Sequence, residues 1–121
     1  MYECHLFEME AEEAFRNAKN DLELVEDYGP KQYDNILHGW MRGGRSLYHC
    51  KVCDRYILRQ ETIFDDIDHD EHYISLWPVA GEKEADKLNR TVGGDIGGYL
   101  HRISLREVAI TGEESTYSKV E

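Results

Sequence analysis

The sequence predicts an α+β fold in which an N-terminal helical hairpin packs on a small antiparallel sheet. Up to Met41, apolar side chains recur at intervals of three and four residues, which is typical of amphipathic helices. From Ser46 onward, β-branched and aromatic residues become frequent and the helical spacing is lost. The length of 121 residues and the hydrophobic fraction of 40% favour one domain, spanning residues 1–121.

The first predicted helix runs from about Glu8 to Asp27. Glutamates in its first turn suit the positive end of the helix dipole, and Tyr28-Gly29-Pro30 supplies a stop. Its apolar face would consist of Ala11, Ala14, Phe15, Ala18, Leu22 and Val25.

A second, shorter helix is predicted to begin at Pro30, since proline is favoured in the first turn of a helix. The stretch Arg42-Gly43-Gly44-Arg45 would end it. Its apolar stripe would consist of Tyr33, Ile36, Leu37, Trp40 and Met41.

The rest of the chain predicts a sheet with one further helix. Segments with alternating or β-branched residues predict strands, whereas the polar stretch after Gly81 has the character of a short helix. For residues 99–110 both a strand and a helix fit the spacing, and we favour the strand. The polar tail, residues 112–121, is expected to be frayed. The predicted elements are a β-hairpin with arms Leu47–Cys50 and Tyr56–Phe64, a strand at His72–Val79 and a helix at Gly81–Arg90.

The charge of the chain disfavours nucleic acid as a direct ligand and favours a basic protein partner. Its net charge is -11, and a surface that binds phosphates must be positive. Residues 1–30 contain nine acids and two bases, and residues 61–72 contain six acids and no base. Clustered carboxylates of this kind speed the encounter with a cationic surface, although ordinary solvated faces are the alternative interpretation.

The stretch Cys50-Lys51-Val52-Cys53 is a C-x2-C turn between the two predicted hairpin arms, and it can hold two thiolates at metal-binding distance. Residues 48–56 resemble a zinc knuckle, the β-turn half of a zinc ribbon. In that motif a glycine commonly follows the second cysteine, whereas Asp54 stands here. The resemblance implies one structural zinc, with two free thiols as the alternative.

Two pairs of residues are candidates to complete the zinc site. One is His69 with His72, an H-x2-H pair that follows Cys53. The other is at the N-terminus, where Cys4 is the alternative ligand and His5 follows it directly. Adjacent residues rarely ligate one ion together, so we expect His69 and His72 as ligands and Cys4 as a substitute.

The acidic run from Asp65 to His72 has no EF-hand spacing, and it is the main candidate for a contact surface. A catalytic alternative makes His69 or His72 a general base or a ligand of a hydrolytic metal. The expected partner-binding residues are Asp65, Asp66, Asp68, Asp70, Glu71 and Tyr73.

Together these observations predict a small acidic binding protein with no catalytic residues. Its size and charge are similar to those of the small bacterial immunity proteins that neutralise toxins, which implies a basic toxin domain as partner. The alternatives are a metal-dependent hydrolase and a zinc-ribbon-like adaptor in a larger assembly. The odd number of cysteines without a signal peptide predicts a cytoplasmic location, and no apolar run approaches the roughly 20 residues that span a bilayer.

Overall fold

A computed structural model of the chain describes residues 4–35, 39–65, 70–91, 104–110 and 114–120. Within these ranges, six antiparallel strands form one sheet in the order β1-β2-β3-β4-β5-β6, so each strand pairs with its neighbour in sequence. The strands are β1 (Leu22–Asn35), β2 (Gly39–Cys50), β3 (Arg55–Asp65), β4 (Asp70–Val79), β5 (Ser104–Ile110) and β6 (Glu114–Val120). The helices are α1 (Ala11–Asp21) and α2 (Glu82–Thr91), and a 3-10 turn spans His5–Glu8.

The predicted N-terminal helical hairpin is wrong. The first helix is shorter than expected, because α1 ends at Asp21 and Leu22 already has the extended angles φ -95 and ψ 136. The residues that would have formed its last turns belong to β1, in which Leu22 pairs with Cys50 and Asp27 pairs with Ser46. Pairing with β2 satisfies the backbone groups that a longer helix would have bonded internally.

The second helix of that hairpin is also replaced by strands. The segment predicted to be helical contains the end of β1 and the start of β2, which pair from Lys31 with Gly43 to Asn35 with Gly39. The glycine pair expected to stop a helix lies inside β2. At Gly43 a Cβ atom would overlap the carbonyl oxygen of Glu61 on β3, so the close approach of these two strands requires a glycine.

The remaining elements follow the sequence more closely. The β2–β3 hairpin with its C-x2-C turn, the strand β4 and the helix α2 are confirmed. A strand is also confirmed at Ser104–Ile110, the described part of the ambiguous segment. The tail is not frayed as expected, since β6 pairs with β5 from Glu114 to Val120.

The sheet is covered on both faces, because successive residues of a strand point to opposite sides. Ile57 and Leu76 pack with α1 and the 3-10 turn, whereas Leu58 and Trp77 pack with α2. The first cluster is the larger one, and its buried members are Cys4, Leu6, Phe7, Ala11, Ala14, Phe15, Cys50, Ile57, Leu76 and Leu105.

This packing brings the N-terminal segment to one end of the sheet. Leu6 and Phe7 are 0% and 1% exposed, so their burial fixes the 3-10 turn against the sheet. Cys4 precedes that turn and is buried in the same cluster as Cys50, the last residue of β2. Among the described residues, no helix has the length and apolar character needed to cross a membrane.

Candidate metal centre

The turn at residues 51–54 connects β2 to β3. Cys50, the last residue of β2, directly precedes this turn, and Cys53 lies within it. The Asp54 N–H donates to the Cys50 carbonyl oxygen at 2.9 Å, which closes the turn. Asp54 has a positive φ of 57°, the left-handed conformation that aspartate adopts more readily than most side chains. This geometry explains why aspartate can stand where zinc knuckles commonly have glycine.

Two hydrogen bonds connect this turn to the segments before and at the end of α1. The His5 N–H donates to Cys53 Sγ at 3.1 Å. At the end of α1, the Asp21 carbonyl oxygen accepts a hydrogen bond from the Lys51 N–H at 2.9 Å. The turn is therefore held from two sides, by the segment before α1 and by the last residue of α1.

Four side chains from these segments converge, namely Cys4, His5, Cys50 and Cys53. Each offers one ligand atom, and all four atoms lie within 4.8 Å of one another. His5 Nδ1 is 3.8 Å from Cys4 Sγ, 3.9 Å from Cys50 Sγ and 2.8 Å from Cys53 Sγ. In a tetrahedral zinc site the separation of a sulfur and a nitrogen ligand is about 3.6 Å. The four residues are thus close enough to hold a metal ion such as zinc.

The thiols of Cys4 and Cys53 have different environments. Burial raises the pKa of the Cys4 thiol well above its usual range, and nearby Cys50 and Cys53 raise it further. At Cys53, burial also opposes ionisation, but hydrogen bonds from the backbone and ring of His5 outweigh it and lower the pKa. Cys53 consequently forms a thiolate more easily than Cys4. A bound divalent cation would stabilise the thiolate of Cys4 and so offset the effect of its burial.

The other ring nitrogen of His5 faces a carboxylate. His5 Nε2 lies 2.9 Å from Asp21 Oδ2, and the ring is partly shielded from solvent. Burial lowers the pKa of His5, but the hydrogen bond to Asp21 and the contact with Cys53 outweigh that effect and raise it. Because Nε2–H is donated to this carboxylate, release of the Nδ1 proton would leave the Nδ1 lone pair free for an ion, which is the arrangement found behind many metal ligands.

The structure does not bring His72 to the two cysteines. Cys50 pairs with Arg55 at one end of β3, whereas His72 pairs with Ile63, eight residues farther along the strand. At about 3.3 Å per residue this is about 26 Å. Instead, His72 Nε2 lies 3.1 Å from Glu61 Oε2. His69, the other ligand expected from the sequence, lies outside the described residues.

In place of the two histidines near residue 70, the structure brings Cys4 and the adjacent His5 to the cysteine pair. The sequence had offered Cys4 only as an alternative ligand. Sequence reasoning set His5 aside because neighbouring residues rarely share one ion. The 3-10 turn that begins at His5 is what points both side chains to the same place. The one local signal in the sequence is the apolar pair Leu6-Phe7, whose burial carries the neighbouring Cys4 and His5 toward the sheet.

The described members of the predicted partner-contact set lie away from the cysteines, toward the other end of β3 and along β4. Asp65 and Asp70 pair at that end, and Tyr73 is half-buried on β4. Asp66 and Asp68 lie outside the described residues, and Glu71 is described only through its backbone pairing with Phe64. The contact surface therefore stays a prediction.

A second histidine, His49, connects the turn to β1 at the edge of the sheet by two side-chain hydrogen bonds. His49 Nε2 lies 2.6 Å from Asp54 Oδ1, and Nδ1 lies 2.8 Å from Glu23 Oε1 on β1. Hydrogen bonds to Asp54 and then to Glu23 raise the pKa of His49. The imidazole thus links the residue after Cys53 to β1, which restricts the conformation of the turn.

In comparisons with protein-family models, curated proteins and solved structures, none matches this chain. The interpretation of the site accordingly depends on its geometry.

Proposed function

We propose that the protein is a binding protein stabilised by one structural Zn²⁺, held by Cys4, His5, Cys50 and Cys53. The observation that carries this proposal is the convergence of three sulfur atoms and one imidazole nitrogen within 4.8 Å. Three thiolates with one histidine are among the commonest ligand sets of structural zinc sites.

The ligand set favours a structural role for the ion over a catalytic one. A catalytic zinc keeps one position open for water or substrate, whereas four protein ligands fill a tetrahedral ion. Cys4 and Cys50 are 1% and 0% exposed, so a substrate would have no direct approach from their side. The ion would fasten the segment before α1 to the β2–β3 turn.

Zinc titration of two histidine variants tests this assignment. In His5→Gln we expect stoichiometric zinc binding to be lost or weakened by at least about a hundredfold, because one of four ligands is missing. His72→Gln is the matched control, since that ring lies beside Glu61 and far from the cysteines. Full zinc binding by His5→Gln, or its loss from His72→Gln, would contradict the proposal.

The binding role itself is supported by charge. The net charge of -11 favours a basic protein partner. A cleft of about 310 Å³ lies between α2 and strands β1 and β2. It is lined by three carboxylates and one ammonium group, together with an aromatic and an aliphatic side chain, namely Glu26, Glu82, Asp86, Lys83, Tyr28 and Leu47. Carboxylates around an aromatic ring suit an arginine or lysine side chain, through charge and cation–π attraction. We propose this cleft as a contact point for the partner.

The acidic segment from Asp65 to Glu71 is proposed as a second contact region, on the basis of its sequence. The small size and the negative charge of the chain favour a basic toxin as the partner that it binds and neutralises. Reversing the charges of Asp66, Asp68 and Asp70 together should slow association with the partner and weaken its salt dependence. Unchanged association kinetics would remove this segment from the proposal.

Binding of an arginine-rich peptide, followed by fluorescence anisotropy, tests the cleft. We expect the triple variant Glu26→Gln, Glu82→Gln, Asp86→Asn to bind about tenfold more weakly. The control variant Glu8→Gln, Glu12→Gln, Glu13→Gln removes the same charge from exposed residues near α1. If both variants weaken binding equally, net charge alone attracts the peptide and the cleft is not a contact point.

A further inference from the structure

A second cavity lies on the other side of the sheet, between α1 and strands β1 to β5. Its volume is about 330 Å³, within the range of small-molecule sites. Most of its wall is apolar, with Phe15 and Ala18 on α1, Leu22 at the start of β1, and Ile74 and Leu76 on β4. An apolar ligand body would therefore exchange water for hydrocarbon on both sides of the cavity.

Two cations also line this cavity, although the chain as a whole is strongly acidic. They are Lys19 on α1 and Arg59 on β3. Arg59 Nη2 is 3.4 Å from Glu61 Oε2, whereas a charge-assisted hydrogen bond between such groups is usually about 2.7–2.9 Å long. The same Glu61 oxygen also lies close to His72 Nε2. A guanidinium has five N–H donors in a planar fork, so Arg59 can donate hydrogen bonds to a further carboxylate.

Among the described residues that line the cavity, the one acidic side chain lies away from Arg59. Glu107 is on β5, two strands from β3, which corresponds to about 10 Å across the sheet. Its Oε1 accepts a hydrogen bond from the Tyr117 hydroxyl at 3.5 Å. The cavity is therefore polarised across the sheet, with the guanidinium of Arg59 on β3 and the carboxylate of Glu107 on β5.

We infer that this cavity binds a small monocarboxylate with an apolar body. The carboxylate pairs with Arg59 and Lys19, and the apolar body lies against Phe15, Ala18 and Leu76. A linear fatty acid and an arylalkanoic acid share this chemistry. The site is separate from the four metal-ligand residues, since none of them lines the cavity.

Titration by NMR with decanoate and with 3-phenylpropionate, below micellar concentrations, tests the inference. We expect the methyl signals of Leu76 and Ile74 to shift, with a dissociation constant in the low millimolar range or tighter for a ligand of about 12 heavy atoms. Decylamine, which has the opposite charge, should bind at least about tenfold more weakly than decanoate. Preference for one acid would distinguish a linear from an aromatic ligand.

Two pairs of variants identify the site. Arg59→Gln should weaken decanoate binding about tenfold, whereas Arg90→Gln, on the exposed side of α2, should not. Ala18→Leu fills the cavity at little cost in helix propensity and should abolish binding, whereas Ala80→Leu, at an exposed position, should not. Circular dichroism establishes that each variant is folded.

The inference is overturned if neither acid shifts the cavity signals, if decylamine binds as well as decanoate, or if folded Ala18→Leu still binds. Because the readout is ligand binding at fixed zinc occupancy, failure here leaves the proposed zinc site unaffected.

Discussion

The ring of His5 lies between the carboxylate of Asp21 and the sulfur of Cys53. Its Nε2 is 2.9 Å from Asp21 Oδ2, and its Nδ1 is 2.8 Å from Cys53 Sγ. Asp21 is the last residue of α1, and Cys53 lies in the turn between β2 and β3. One imidazole therefore connects the end of a helix to the tip of a hairpin and fixes which nitrogen faces the cysteines.

Asp21→Asn should weaken zinc binding by about 10–100-fold, because a carboxylate behind a histidine ligand fixes the ring and increases its basicity. The fold should persist, since the Asp21 backbone carbonyl still accepts the Lys51 N–H. Competition with a chromogenic chelator measures the affinity. Glu13→Gln, an exposed acid on α1, is the matched control, and equal affinities in both variants would show that Asp21 has no such role.

Removal of zinc should loosen the N-terminal segment first. A ligand present at a thousand times its dissociation constant stabilises the folded state by about 4 kcal/mol, and chelation would remove this contribution. Limited proteolysis followed by mass spectrometry should then show cleavage around residues 4–10 before cleavage within the sheet. Chelator should have no added effect on Cys53→Ser, and a proteolysis pattern insensitive to chelator in the wild-type chain would count against a structural ion.

The sequence predicted the hairpin between β2 and β3 well, but it predicted helices where the chain forms β1 and the first part of β2. The β2–β3 hairpin was predictable because β-branched residues flank a recognisable turn. The spacing of Leu22 and Val25 fits a helix, yet Leu22 pairs with Cys50, and Val25 lies where the register shifts between Leu24 and Glu26. Spacing within one segment cannot report pairing with a distant strand, which decided the outcome here.

Gly43→Ala should destabilise the sheet strongly, by about 2 kcal/mol or more, because the added Cβ would overlap the Glu61 carbonyl oxygen. Urea denaturation measures the change in the free energy of unfolding. Gly81→Ala is the matched control, since a Cβ there meets nothing within 4 Å. A similar small effect of both substitutions would contradict the close approach of β2 to β3.

For the metal centre, the sequence identified two of the four residues directly. Cys50 and Cys53 are a recognisable pair on a predicted turn. Cys4 lies 46 residues before Cys50, and His5 lies 48 residues before Cys53. Their approach depends on burial of the 3-10 turn beneath the sheet, a tertiary contact that spacing does not encode.

The acidic cleft should be detectable through Tyr28. Burial raises the pKa of its phenol, and the charges of Asp86, Glu26 and Glu82 raise it further. A raised pKa in the folded state means that this group's stabilising contribution is present below the unfolded value of about 10 and is lost as pH rises through the folded value. NMR titration of labelled tyrosine measures this pKa.

Neutralising Asp86, Glu26 and Glu82 together should lower the pKa of Tyr28 only part of the way to its ordinary value, since burial is the larger cause. Neutralising the exposed glutamates Glu12 and Glu13 should leave it unchanged. A Tyr28 pKa that does not respond to the three cleft substitutions would mean that these carboxylates do not surround the ring.

X-ray absorption at the zinc edge of the zinc-loaded protein tests the central claim most directly. Ligation by Cys4, His5, Cys50 and Cys53 predicts three sulfur ligands at about 2.3 Å and one nitrogen ligand at about 2.0 Å. A shell of two sulfur and two nitrogen atoms would contradict this assignment and return the histidines near residue 70 to consideration. A shell without sulfur would remove the turn from the metal site altogether.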